Sequence, residues 1–192
     1  MDCSSVPHCI GRKTKTAKKT TMKKTKVAKD SSVTMTELVL PNDTNGLNNL
    51  MGGRLLHMMD IVGAISAQRH SNRIVVTASV DNVSFKHPIQ LGNVVTLIAK
   101  VTRSFSSSME VRIDVWSEDI PSNEKVKSNE AYFTFVAVDQ GGRPIDVPEL
   151  VPESDEEITM FDAALRRRQL RLVLAGRMDP SEASELKRMF NL

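Results

Sequence analysis

The stretch NNLMGGRLLHMMDIVGA, Asn48 to Ala64, reads as a mostly apolar helix with one carboxylate in its middle and two glycines at its start. At 3.6 residues per turn, Leu55, Met58, Met59, Val62 and Ile65 form a bulky stripe suited to packing on a sheet. Asp60 falls elsewhere, among Gly53, Leu56, His57, Gly63, Ala64 and Ala67. Most of these neighbours are small, so this face predicts a groove slim enough for another backbone or an extended ligand. A merely solubilising face would carry Glu and Lys instead. Gly52 and Gly53 cost helix propensity, yet they leave the first N–H groups unobstructed, where the helix dipole favours negative charge. An anion held there would lie about 10 Å, two turns, from Asp60. Two antiparallel copies across a dyad would set the amide end of one helix beside the carboxylate of the other. The sequence therefore predicts a site shared between subunits.

Strand-like runs flank this helix, which should span about 52–69. VTMTELVL (33–40) precedes it, and RIVVTASV (73–80), NVVTLIAKVTR (93–103), SMEVRIDVWSED (108–119) and SNEAYFTFVAVD (128–139) follow. In 108–119 the alternation is clean: Val111, Ile113 and Val115 on one side, Arg112, Asp114 and Trp116 on the other. Gly, Pro, Ser and Asn punctuate the linkers. β-Branched strands around one long helix predict an α+β fold with a largely antiparallel sheet, here bounded at 34–142.

The 192 residues carry a formal net charge of +3, with 40% apolar and 26% charged side chains, ordinary for a globular chain. The charge is unevenly placed. Residues 1–33 hold nine Lys and Arg against Asp2 and Asp30, a net +7 that leaves about −4 elsewhere. The Lys/Thr repeats there lack apolar groups to offset chain entropy, so 1–33 is expected to be a disordered tail. Such a tail is most simply a solubilising device, with weak binding to polyanions as the functional reading. Residues 143–192 read as a Pro- and acid-rich connector, a helix ending at Gly176, and a second helix capped by Asp179 with Pro180 at its first position. Their arginines are expected to form a solvated helical appendix or an oligomer contact. No apolar run is long enough for a membrane span, and the start lacks the apolar segment of a secretory signal. Cys3 and Cys9, the only cysteines, lie in the tail. A folded part without disulfides suits the cytoplasm.

NDTNGLNNLMGGRLLHMMDIVGA, VDNVSFKHPIQLGNVVTLIAKV and YFTFVAVD together resemble the hotdog-fold acyl-CoA thioesterases of the YciA and cytosolic acyl-CoA hydrolase group, over about 36–139. The resemblance implies an antiparallel sheet wrapped around a long central helix, paired into a double hotdog and commonly assembled as a trimer of dimers. It implies hydrolysis of an acyl-CoA thioester to free acid and CoA, with active sites at the dimer interface and no metal or organic cofactor. Matched by position, the catalytic carboxylate falls on Asp60, as general base or as nucleophile. The loop asparagine falls on Asn49, supplied by the partner subunit, and the oxyanion-holding amide falls on Gly53. Many members carry His or Phe before the glycine pair, where this chain has Met51.

Substrate contacts follow from the same resemblance. Gly52 would lie against the substrate, and Val83 and Ser84 would offer backbone groups along the pantetheine channel. Phe85 would form an apolar wall there, although a plain core role fits it equally well. The turn RSFSSSM offers Arg103, Ser106 and Ser107 to the CoA phosphates, or is an ordinary polar hairpin. His57 beside Asp60 suggests a hotdog dehydratase, but that chemistry places His before the helix, where this chain has Asn49. His57 is read as structural. Cys3, His8 and Cys9 match no zinc pattern. The alternative to an enzyme is a hotdog module that binds acyl-CoA without turnover, as a sensor or scaffold.

Overall fold

A computed structural model describes residues 24–81, 83 and 85–190. The tail expected at 1–33 lies outside these residues up to position 23, and so do Cys3, His8 and Cys9. The strands are β1 (Thr25–Val27), β2 (Val33–Leu38), β3 (Ile74–Asp81), β4 (Val94–Ser104), β5 (Ser108–Asp119), β6 (Glu124–Val138) and β7 (Glu149–Val151). The helices are α1 (Gly52–Ser71), α2 (Asp155–Leu174) and α3 (Ser184–Phe190). Five strands form an antiparallel sheet in the order β2-β4-β5-β6-β3, and β1 pairs in parallel with β7. A long helix held in an antiparallel sheet is the hotdog arrangement.

α1 covers one face of the sheet. Leu55, Met58, Met59 and Val62 are buried against Val111, Ile113, Phe133 and Phe135. The helix stops where Asn72 turns left-handed, at φ 53°, and its N–H donates to the Gln68 carbonyl. Two wheel assignments change. Gly63 and Ala67 are buried rather than grouped in an open groove with Asp60, and Ile65 is 39% exposed rather than buried. Gly63 is where the helix approaches the sheet most closely: a Cβ there would sit 2.9 Å from Phe135 Cε2 and 3.2 Å from Ile113 Cδ1. Gly63→Val is expected to destabilise the protein by about 1–3 kcal/mol through overpacking, read as a lower urea midpoint with an unchanged slope.

The opposite sheet face carries α2, which corrects the expectation of a solvated appendix. Ala164 is fully buried and Gln169 nearly so. Arg167 grips Glu110 of β5 through two hydrogen bonds, Nε to Oε2 at 3.0 Å and Nη2 to Oε1 at 2.7 Å, and stacks 3.7 Å from the Tyr132 ring centre. A bulge at Thr102 turns its hydroxyl to donate to Glu110 Oε1 at 2.7 Å. The helix starts at Asp155, because Ser154 caps it by accepting the Glu157 N–H. Asp179 caps only a short 3-10 turn, Pro180–Glu182, and α3 begins after it.

The boundaries drawn at 33 and 142 also move. Residues 24–33 are built into the fold: β1 lies along β7, and Ala28 and Val33 join the core. The order comes from backbone pairing, which composition does not report. Val147 and Leu150, beyond residue 142, are likewise core residues. His70, at the end of α1, ties this layer down by donating Nε2–H to the Pro148 carbonyl at 2.9 Å. Its Nδ1 is buried without a partner among the described residues. Burial lowers the His70 pKa from 6.5, against the Pro148 bond and the charge of Asp30, and Lys26 lowers it further. Below pH 6.5 the unfolded chain therefore binds a proton that the folded one resists. Stability is expected to be fully present above pH 6.5 and to fall as pH drops towards the folded pKa. Urea unfolding between pH 7.5 and 5 reads the loss, and His70→Gln is expected to flatten it.

Candidate active site

Asparagines shape the loop before α1. Asn45 Oδ1 accepts the N–H groups of Leu47 (2.9 Å) and Asn49 (3.2 Å), and Asn48 adopts the left-handed conformation at φ 57°. The Leu50 N–H donates to the Ile89 carbonyl. Arg54, in the first turn of α1, donates Nε to Asp43 Oδ1 at 2.9 Å and reaches Glu37 Oε2 at 3.3 Å, which fixes loop and helix together. Met51 supplies no side-chain cap to α1, so the first amides of the helix are left for another acceptor.

A cavity of about 320 Å3 opens at this helix start, lined by Asn45, Asn49, Gly52, Phe85, His87 and Asn129 among others. Leu50, Leu55, Ile89 and Asn129 form a buried floor, while Asn45, Phe85, His87 and Pro88 lie exposed at the rim. The glycine pair now has a physical reason. A Cβ on Gly52 would lie 3.1 Å from Phe85 Cζ, so glycine lets the ring close over the helix start. Gly53 faces open space.

Asp60 is absent from that lining. It lies half-buried further along α1, where its Oδ1 accepts from Thr77 Oγ1 at 2.6 Å. Oδ2 has no hydrogen-bond partner among the described residues. A bulge at Ala78, where the β3–β6 register slips between Thr77 and Ser79, accompanies this aim of Thr77 at the helix. β3 is an edge strand, and Ile74, Val76 and Val80 are exposed along it, as are Ile61 and Ile65 on α1. One chain thus gathers Asn45, Asn49, Gly52 and Phe85 at one end of α1 and holds Asp60 at a sticky sheet edge. His57 is exposed.

Of the other residues expected to contact substrate, Val83 packs against the core and Ser84 lies outside the described residues. Arg103, Ser106 and Ser107 are not brought to the cavity at the helix start. Arg103 donates Nη1 to the Phe161 carbonyl at 2.8 Å and stacks 3.9 Å from the Phe161 ring centre, so the C-terminal helix claims it. It lines a separate cavity of about 550 Å3 with Asp162, Arg166 and Glu185. The Ser106 and Ser107 carbonyls accept the N–H groups of Val147 and Ala137. Thr77 and Asn45 escaped the sequence reading: one looked like an ordinary strand residue, the other like an ordinary turn residue. No cluster of three or more His, Cys, Asp or Glu fit for a metal ion occurs among the described residues, nor does a helix long and apolar enough to cross a membrane.

The fold is that of the hotdog class, with the Asp60 carboxylate at its sheet edge and the uncapped start of α1 beside a cavity. The sequence profile of the thioesterase superfamily matches residues 47–122. The uncharacterized acyl-CoA thioester hydrolase YkhA of Bacillus subtilis is 42% identical over 143 residues, 74% of this chain and 83% of its own length. An acyl-CoA hydrolase from Staphylococcus aureus, solved with butyryl-CoA, CoA and CoA disulfide, superposes with a TM-score of 0.73 at 35% identity, covering 80% of this chain and 95% of that one. An apo hexameric acyl-CoA thioesterase superposes with a TM-score of 0.77 at 36% identity, covering 79% and 97%. The chain belongs to the thioesterase superfamily, among its hotdog-fold acyl-CoA thioester hydrolases. Structures of the Staphylococcus aureus enzyme include variants with one Asp, one Asn or one Thr changed to Ala, the Asn 15 residues before the Asp and the Thr 17 after it. Asn45, Asp60 and Thr77 stand at those same intervals here.

Proposed function

We propose that the protein hydrolyses acyl-CoA thioesters to a carboxylic acid and CoA at a site built by two copies of the chain. The observation that carries this is the separation of the two half-sites: Asp60, fixed by Thr77, stands at an exposed edge strand, and the uncapped start of α1 stands two turns away, beside a cavity lined by Gly52. Pairing β3 of one copy with β3 of another would cover Ile74 and Val76 and satisfy the bare backbone edge. It would also bring Asp60 of one copy to the helix start of the other. The hexameric neighbour supports further association of such dimers.

In that arrangement the Gly53 N–H donates to the thioester oxygen as it gains negative charge. Asp60 takes a proton from water, the hydroxide adds to the carbonyl carbon, and the tetrahedral intermediate collapses by expelling CoA as its thiolate. Attack by Asp60 itself would give a mixed anhydride that water then opens. Asn49 and Asn45 both line the cavity, and the matched spacing favours Asn45 as the side chain that orients substrate or water. The cytoplasm is the compartment read for it, supported by a folded part that contains no cysteine. The basic tail is read as at most a weak polyanion contact, which salt would abolish.

The test is CoA-thiol release from acetyl- to palmitoyl-CoA by the full chain. Turnover on any of these supports the hydrolase. Binding without turnover by a folded, assembled protein would make it the acyl-CoA sensor instead. Thr77→Val is expected to lower kcat about 10-fold, by freeing Asp60 to turn away.

A further inference from the structure

The inner row of β6 runs Phe135, Phe133, Ala131, Asn129 towards the start of α1, and its last member breaks the pattern. The first three are core residues. Asn129 is equally hidden, at 2% exposure, yet carries an amide. Its Oδ1 accepts from the Ser128 hydroxyl at 2.8 Å, while its Nδ2 is buried without a hydrogen-bond partner among the described residues. The strand is reshaped here as well. The β5–β6 register slips between Val115 and Trp116, so Ser128 is a bulged residue, and its hydroxyl shares its single proton between Asn129 Oδ1 and the His87 carbonyl, both at 2.8 Å. A bulge of this kind re-aims a neighbouring side chain. Asn129 lies on the floor of the 320 Å3 cavity, beside Leu50, Leu55 and Ile89, with Gly52 and Phe85 above it.

We infer that Asn129 is a specificity-determining residue, whose free N–H selects acyl groups bearing an oxygen, a hydroxyl or carbonyl, a few carbons beyond the thioester. This rests on the hydrolase reading. With the thioester oxygen at the Gly53 amide, the group that enters a buried floor is the acyl chain, because CoA needs an exit to solvent. A plain alkyl chain that fills this floor strips water from the Asn129 amide and leaves its donor unpaired. An oxygen on the chain restores the bond. A site with a donor built for an oxygen rejects the analogue lacking it far more strongly than an apolar pocket separates chains by one methylene.

The test compares kcat/KM of the full protein for hexanoyl-CoA with that for hexanoyl-CoAs carrying a hydroxyl on carbon 3, 4 or 5. At least one hydroxy isomer is expected to exceed hexanoyl-CoA by about 10-fold or more. In Asn129→Leu, which fills the space without a donor, that ratio is expected to fall to about one. Asn129→Ala replaces it if the leucine variant fails to fold. A wild type that handles hexanoyl-CoA as well as every hydroxy isomer overturns the inference, and so does a folded variant that keeps the ratio. Absence of turnover on all thioesters would instead strike the hydrolase reading, which separates the two failures.

Discussion

Asp60→Asn is expected to lower kcat for acyl-CoA hydrolysis by about 100- to 10,000-fold, the range for loss of a positioned general base, with little change in KM. The substitution keeps the side chain's shape and leaves an oxygen for the Thr77 hydroxyl, so the fold and the α1–β3 contact persist. What disappears is the second carboxylate oxygen, the one left unpaired in the chain. A drop in kcat without a matching rise in KM is the mark of a group that acts in the transition state rather than in binding. Single turnover in water enriched in oxygen-18 tests the nucleophilic role. Label found in Asp60 means that the carboxylate attacked first and that water opened the anhydride at the aspartyl carbon. Label confined to the released acid means that water attacked the acyl carbon, of the thioester itself or of an anhydride. A variant that retains wild-type turnover would remove Asp60 from the chemistry altogether.

The second large effect is structural. Arg167→Ala is expected to cost about 3–5 kcal/mol, because it leaves the Glu110 carboxylate, 2% exposed, buried without its counter-charge. Only the Thr102 hydroxyl would remain on it. Glu110→Ala is expected to cost less, since Arg167 is 24% exposed and can turn its fork to water. Replacing both, as Glu110→Leu with Arg167→Met, is expected to recover most of the loss, because no buried charge is then left unpaired. Urea denaturation of Glu110→Leu, Arg167→Met and the variant carrying both completes a double-mutant cycle. A double variant whose cost is the sum of the two single costs would show that the pair is not coupled.

Much of the hotdog was legible because its signals are local. Apolar residues recur at helical spacing through α1, and Val111, Ile113 and Val115 alternate with polar residues along β5; both patterns come from neighbours in the chain. Asp60 stood out for the same reason, a carboxylate among small residues. What escaped depends on partners far away. Arg167 reads as one more charge on a basic helix until Glu110, 57 positions earlier, meets it across the sheet. Arg171 similarly pairs with Asp81, 90 positions away. Thr77 looks like any β-branched strand residue, since only the bulge at Ala78 and the crossing of α1 give its hydroxyl a target. Gly63 and Ala67 were assigned to the wrong face because a wheel reports angle but not how closely a sheet approaches. The order in residues 24–33 was invisible because backbone pairing has no side-chain signature.

That pairing has a consequence for how the chain is made. β1 is the first of these strands to leave the ribosome, but its parallel partner β7 lies 124 residues downstream. At about 5–20 residues per second, β1 waits roughly 6–25 s for that partner to be synthesised. In that interval β2 to β6 and α1 have all emerged, so the central layer can collapse while β1 still waits unpaired. The two ends of the domain are then buttoned together last, around His70. Released chains ending shortly before residue 149 would carry the sheet and its helix but would leave the amide of Lys26, the β1 group facing β7, open to exchange.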